Sequence, residues 1–498
     1  MNIFSHNRFS FFELCFSVAI LGMLTLLVEP AFAQAPAWDM ALTVNHASSE
    51  PTEIIATATD SEGNAYIAGN FYGQASFSKT TLTSVGDADV FVAKWNAKSK
   101  NFVWAVSAGG SDKDGIKGLS VNGRSIYIVG NSIKPDFSAA NAKKFAFGGK
   151  VLTADSQKDG FIAKLVEAET DSSVSFSWAM WAGGVWNEGN TYGLTSVAVN
   201  GTNVYVAGSF NSKSASFGSN DVKLNRSGFE TGHDLFVAKL TDTGSTGKFV
   251  WVQKAGSAGD NIANSLAVHG ANIYVAGWFS GATILLGKNS LTNGGKDDAF
   301  ISKLKDDGNT GSFIWSQRLG GIGEDKASSI AVNGASVYVT GQFEKTAVFG
   351  KLALTSAGKG DAFIVKLTDL GITGSVVWAK RAGGERNDAA MNVAVSGTNL
   401  YVAGGASNPS TFDKKVFPSG PEPQDIFVWK LSDLGIDANF AWVQQAGYGY
   451  TDHANSVSVS GANVYVGGKV GPNSRFGSQK FKDQIDFHNF GFLALIKE

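Results

Sequence analysis

Acidic residues return at a fixed distance from tryptophan along this chain. Asp114, Asp325, Asp388 and Asp452 each follow a tryptophan by ten residues, and Asp260 follows Trp251 by nine. Glu188 holds the ten-residue offset after Trp178, and Glu53 is the nearest match at the start of the series. Carboxylate oxygens are what hard cations take as ligands, so a ring of these acids could attract a cation such as calcium. The competing use is local: an aspartate accepts backbone N–H bonds within its own turn. Recurrence in nearly every copy favours that local use. No other cofactor is expected. A second group of chemistry-bearing residues departs from the repeat: Trp181 and Trp186 beside Asn187-Glu188-Gly189-Asn190, and Trp278. Exposed indoles stack on sugars or anchor a protein partner, and buried ones pack between structural units.

Catalytic constellations are sparse. His46, His233, His269, His453 and His488 show no metal-ligand spacing, and Asp452-His453 is an isolated acid–imidazole neighbour. Gly320-Gly321-Ile322-Gly323 precedes a strand pattern, so it lacks the helix N-terminus that a phosphate cradle needs. A formal net charge of −2 provides no polybasic field, which excludes generic nucleic-acid binding.

The elements that must position these residues form one repeated unit. Trp315-Ser316-Gln317-Arg318-Leu319-Gly320-Gly321 matches Trp378-Ala379-Lys380-Arg381-Ala382-Gly383-Gly384, and the phrase recurs at Trp104, Trp178, Trp251 and Trp442, with a weaker copy at Trp38. Three short runs follow each tryptophan, as in Ser329–Val332, Val337–Gly341 and Asp361–Leu367. They are rich in β-branched and aromatic residues and bounded by Gly, Asn or Asp, which is the strand pattern. Asn122-Gly123, Asn200-Gly201 and Asn333-Gly334 favour tight hairpins because both turn positions need positive φ. In the third run an Asp and a Lys stand five apart, as in Asp298 and Lys303, on opposite strand faces, so each is expected to meet an adjacent unit. The longer connections, such as Ser132 to Lys158 and Ser209 to His233, collect on one side, which is expected to be either the binding face or a side that simply tolerates insertion.

These phrases resemble the SBBP type of seven-bladed β-propeller repeat of bacterial secreted and cell-surface proteins, over nearly all of residues 38–498. The resemblance implies a structural repeat and carries no reaction. The expected fold is all-β: a seven-bladed β-propeller with four antiparallel strands per blade, the ring closed by the N-terminal strand.

Residues 1–33 read as a cleaved secretory signal peptide, with an apolar stretch from Phe16 to Val28 before Ala31-Phe32-Ala33. The mature chain, 34–498, is expected to be one propeller domain, a monomer without a transmembrane segment, in the periplasm, at the cell surface or released. The expected function is non-enzymatic binding of an envelope or extracellular protein or glycan. The alternative is a secreted lyase or glycoside hydrolase using carboxylates at the channel mouth.

Overall fold

The structure, a computed structural model, describes residues 33–46, 51–111, 113–133, 144–153, 160–170, 172–184, 193–218, 222–225, 232–407, 409–413, 415–417, 425–447, 452–481 and 489–498. Ala35–Glu498 forms one compact body. The signal segment expected over residues 1–33 lies outside the described residues except for Ala33.

Every regular element among the described residues is a β-strand, and the arrangement is propeller-like. Units 1 to 7 are named here by their inner strands: Glu53–Thr59, Lys113–Asn122, Leu194–Asn200, Asn261–His269, Lys326–Asn333, Ala389–Ser396 and His453–Ser460. Unit 5 displays the plan. Lys326–Asn333 pairs antiparallel with Ser336–Phe349, then Leu352–Asp369 and Gly374–Gly384 follow in order. In unit 7 the fourth place is taken by the N-terminal strand, Trp38–Thr43, which pairs antiparallel with Phe490–Lys497. Each inner strand packs on the next along the series, and His453–Ser460 packs on Glu53–Thr59. Hairpins form at the Asn-Gly sites, but each turn sits one residue later than expected. Asn122, Asn200 and Asn333 end their strands opposite Ser125, Asn203 and Ser336. Of each Asn-Gly pair only the glycine has positive φ, at 58°, 63° and 60° for Gly123, Gly201 and Gly334. Their asparagines reach further: Asn122, Asn200 and Asn333 donate to the carbonyls of Gly201, Gly270 and Gly397 in the following unit.

Third strands are buried on both faces, which explains their unbroken apolar runs. From Asp298 to Leu304 every residue is buried. The described parts of the longer connections are hairpin arms that extend the preceding unit. Phe147 and Ala146 pair with Ala108 and Gly109, the last residues of unit 1. Phe217 pairs with Ala182, Phe349 with Leu319 and Phe412 with Ala382 in the same manner. Each arm phenylalanine also packs on the third-strand phenylalanine of its own unit, with centroids 5.4 Å apart for Phe147–Phe161 and 4.9 Å for Phe217–Phe236.

A charged latch joins successive units. Lys239, Tyr205 and Trp251 of unit 3 converge on Asp306 of unit 4, at 2.6, 2.7 and 2.9 Å. The same Tyr–Lys–Trp set meets Glu167, Asp242, Asp369, Asp433 and Glu498 at five further seams. The acid always stands three residues after the lysine position of its own unit. This corrects the expected pairing. Lys303 does cross to the next unit, but Asp298 stays at home, accepting from Gly294 N at 2.6 Å and Arg318 Nη1 at 3.0 Å. For Asp242, burial alone would raise the carboxyl; Lys164, Tyr127, the Gly244 N–H and Trp178 outweigh it and hold the group at about 2.

Candidate functional site

The regularly spaced acids turn out to be turn caps. Asp325 accepts Gly321 N at 2.6 Å and Glu344 N at 3.1 Å, while Asp388 accepts Gly384 N at 2.7 Å and Ser407 N at 2.6 Å. Asp452 accepts Gly471 N, and Asp114 accepts Gly110 N. All four side chains are buried. Burial pushes Asp325 and Asp388 up to about 7 in spite of those bonds. These carboxylates also explain the first glycine of the Gly-Gly phrase: a Cβ on Gly383 would lie 2.8 Å from both Asp361 and Asp388, and Gly383 has φ of 148°. Among the described residues no group of three or more His, Cys, Asp or Glu side chains is arranged to hold a metal ion.

The two acids that break the spacing are the ones on the rim. A one-residue offset at the start of an inner strand turns the side chain to the other face. Asn261 takes the buried cap position in unit 4, and Asp260 moves outward to meet His233 Nδ1 at 2.6 Å. Glu53 meets His453 Nε2 at 3.2 Å and Asn455 Nδ2 at 2.9 Å. Of the Asp452-His453 neighbours, Asp452 is buried in its turn and His453 faces Glu53. Hydrogen bonding from His233 holds Asp260 below the usual carboxylate range. Burial would raise Glu53, but His453, Lys469 and Asn455 bring it down to about 2.

Near Asp260, Lys326 bridges Asp297, at 3.2 Å, and Glu324, and its ammonium lies 4.5 Å from the Trp278 ring centroid. Trp278 is only 7% exposed, so it forms the floor of a charged cluster instead of an open stacking platform. Trp181 is half-buried, with its ring 5.8 Å from Phe145 in the arm of unit 2. Trp181 and Trp278 belong to units 2 and 4 and sit in separate settings; Trp186 and Glu188 lie outside the described residues. Inner strands carry a bulge at one position each, and the bulged Thr195, Asn264 and Asn455 donate to Ala263 O, Ala327 O and Ile54 O of the following unit. That bulge re-aims a side chain to knit neighbours together. The rim thus presents two acid–imidazole pairs, Asp260–His233 and Glu53–His453. The hydroxyl beside one of them, Ser280, accepts the Asp260 backbone N–H.

Sequence reasoning passed over a different surface. The turns linking third and fourth strands in units 5 and 6 place Leu370, Ile372, Leu434 and Ile436 in solvent, with Ile372 84% and Ile436 86% exposed. The corresponding turns of units 3 and 4 read Thr243-Gly244-Ser245 and Asp307-Gly308-Asn309. Apolar residues at two turn tips whose counterparts are polar are the signal that could have revealed it. Isolated exposed apolar side chains are ordinary, whereas here the pair is repeated at the same turn of two successive units.

No family model matches the chain. It is 23% identical over 388 residues to a protein of Caulobacter vibrioides named Regulatory protein FlaEY, an alignment covering 72% of this chain and 37% of that one. The chain thus spans little more than a third of the curated relative's length. Among solved structures, a phage phi92 endosialidase aligns with TM-score 0.40 and 10% identity over 92% of this chain and 69% of its own. Saccharomyces cerevisiae Sqt1 aligns with TM-score 0.42 and 8% identity over 93% and 99%. Likenesses this loose carry no argument about fold or activity.

Proposed function

We propose that Ala35–Glu498 closes as a seven-bladed β-propeller of the SBBP-like repeat kind and acts, after export, as a non-enzymatic scaffold that docks a protein. Support for closure comes from the succession of inner-strand contacts, in which the last strand touches the first, and from the N-terminal strand lying outermost in the last sheet. Support for an interaction role rests on one observation: Leu370, Ile372, Leu434 and Ile436 stand in solvent on the turn tips of two successive units. Water leaves these side chains when a complementary apolar surface covers them, and a rigid latched scaffold holds them in register for it. The partner is an envelope or extracellular protein and the chain itself a monomer. A glycan reading has less support, since Trp278 is buried beneath Lys326. An enzymatic reading at the channel mouth has less again, because the regular acids are engaged with backbone N–H groups. The name of the Caulobacter relative, a regulatory protein, is in keeping with an interaction role.

Residues 34–498 immobilised and exposed to envelope and culture-fluid proteins test this reading. A species held by the wild type and by Lys326→Ala, but lost with Ile372→Asp/Ile436→Asp, is the expected result. Selective glycan binding that the double variant leaves unchanged would overturn it.

A further inference from the structure

The seam between unit 7 and unit 1 is built differently from the six latched ones. At the lysine position stands Leu495, and three residues after Lys94, where the acid belongs, stands Ala97. The tryptophan position is also lost. In units 1 to 6 the latch tryptophan pairs with the latch lysine, as Trp442 does with Lys430; in unit 7 the residue opposite Leu495 is Met40. Trp38 lies opposite Ile496 and packs edge-on against Phe476 at 4.9 Å, the role Phe102 plays against Phe77. The expected copy at Trp38 is therefore two residues out of register. Tyr465, the surviving member, donates to Gly63 O.

Replacing a lysine, a tryptophan and a carboxylate by Leu495, Met40 and Ala97 leaves space. A cavity of about 290 Å³ opens at this seam, with Leu42 and Trp95 completing its apolar wall. Its lining also holds Lys100, Lys497 and Asp39, and Lys497 lies 3.8 Å from Asp39. Two cations against one anion leave an excess positive charge at an apolar cavity. The volume sits near the lower end of the roughly 300–1,000 Å³ of small-molecule sites.

We propose that this seam cavity binds a small amphipathic anion, an aromatic ring or short acyl chain bearing one carboxylate. The apolar body lies against Met40, Leu42, Trp95 and Leu495, and the carboxylate is held by Lys100 and Lys497. An apolar body gains by leaving water, and a charge-assisted bond to an ammonium fixes its direction. This site is separate from the turn tips of units 5 and 6, so loss of protein docking in the Ile372→Asp/Ile436→Asp variant leaves it intact.

Calorimetric titration of residues 34–498 with phenylacetate, 2-phenylethanol and phenethylamine provides the test. Phenylacetate is expected to bind saturably at one site, roughly tenfold tighter than the alcohol and tighter still than the amine. Lys100→Ala is expected to weaken phenylacetate about tenfold while leaving the alcohol unchanged. Leu495→Lys/Ala97→Asp refills the cavity and is expected to abolish binding; Leu42→Trp fills it without new charge and serves the same purpose should the double variant fail to fold. Absence of saturable binding, equal affinity for acid and alcohol, or binding that survives in a folded, refilled variant overturns the proposal.

Discussion

Six seams of this molecule are latched by an ion pair, buried at five of them, while the seventh, where the chain's two ends meet, has lost the pair and holds a cavity. At a latched seam, a Tyr, a Lys and a Trp from one unit surround a carboxylate from the next, and side chains such as Lys239 and Asp306 are 6% and 5% exposed. At the seventh, three of the four participants have changed type together. The comparison teaches that the latch is one object. A lone buried lysine or carboxylate is costly, so a seam keeps both charges or neither. Where none is kept, geometry persists through main-chain pairing and the Tyr465 bond, and the vacated volume becomes a cavity.

The strongest way to break the contrast is to remove one latch acid. Asp306→Ala strands the buried Lys239 ammonium, and the expected loss is about 3–5 kcal/mol, read as a fall in the urea midpoint. Met40→Ala at the seventh seam, which strands no charge, is expected to cost less than half as much. An equal loss at both would show that the latch charges do not carry the difference.

A change of pH separates latches from turn caps next. Asp242 is held at about 2, below its ordinary 3.8, so its contribution is complete above about pH 4 and fades as pH falls toward 2. Asp325 and Asp388 are raised to about 7, so each favours the folded state most below about pH 4 and loses that contribution as pH climbs to 7. Urea midpoints at pH 2, 4 and 7 are therefore expected to peak near pH 4. Asp242→Asn should flatten the acid limb alone, and Asp388→Asn the limb between pH 4 and 7.

Hydrogen exchange then compares the outermost strands directly. Amides of Trp38–Thr43 are expected to exchange roughly tenfold faster than those of Gly374–Gly384, since a seam without a latch opens first. Equal protection would mean that main-chain pairing alone sets the opening energy. The smallest effect should come from rebuilding the latch: Leu495→Lys/Ala97→Asp is expected to raise stability by no more than ~1 kcal/mol, because a buried ion pair gains little over apolar packing.

Much of the architecture was legible in the residues. Strand runs, the hairpins at the Asn-Gly sites and the repeating third-strand phrase arise from local propensity and turn chemistry, although each turn is made by the glycine and the residue after it. The candidate site was legible only in part. Asp260 and Glu53 were visible as offsets from the regular spacing, yet their histidine partners, His233 and His453, come from the neighbouring unit. Trp38 invited alignment by residue type, whereas pairing register assigns the latch position to Met40. The apolar turn tips stand in plain view as Leu370 and Ile372, and only their exposure, a matter of packing, distinguishes them from core residues.

The chain by itself determined its all-β content, the order of strands within each unit and the turns that join them, because those depend on neighbours a few residues away. Tertiary structure alone decided which carboxylate each lysine meets, which acids cap turns and which reach the rim, and that the meeting of the two chain ends leaves a cavity. Each latch draws three residues from one unit and the fourth from the next, more than fifty positions along the chain for Trp251 and Asp306. Spacing within a repeat is blind to that choice. Only the packing of sheet against sheet, where a buried charge must find its counterpart, makes it.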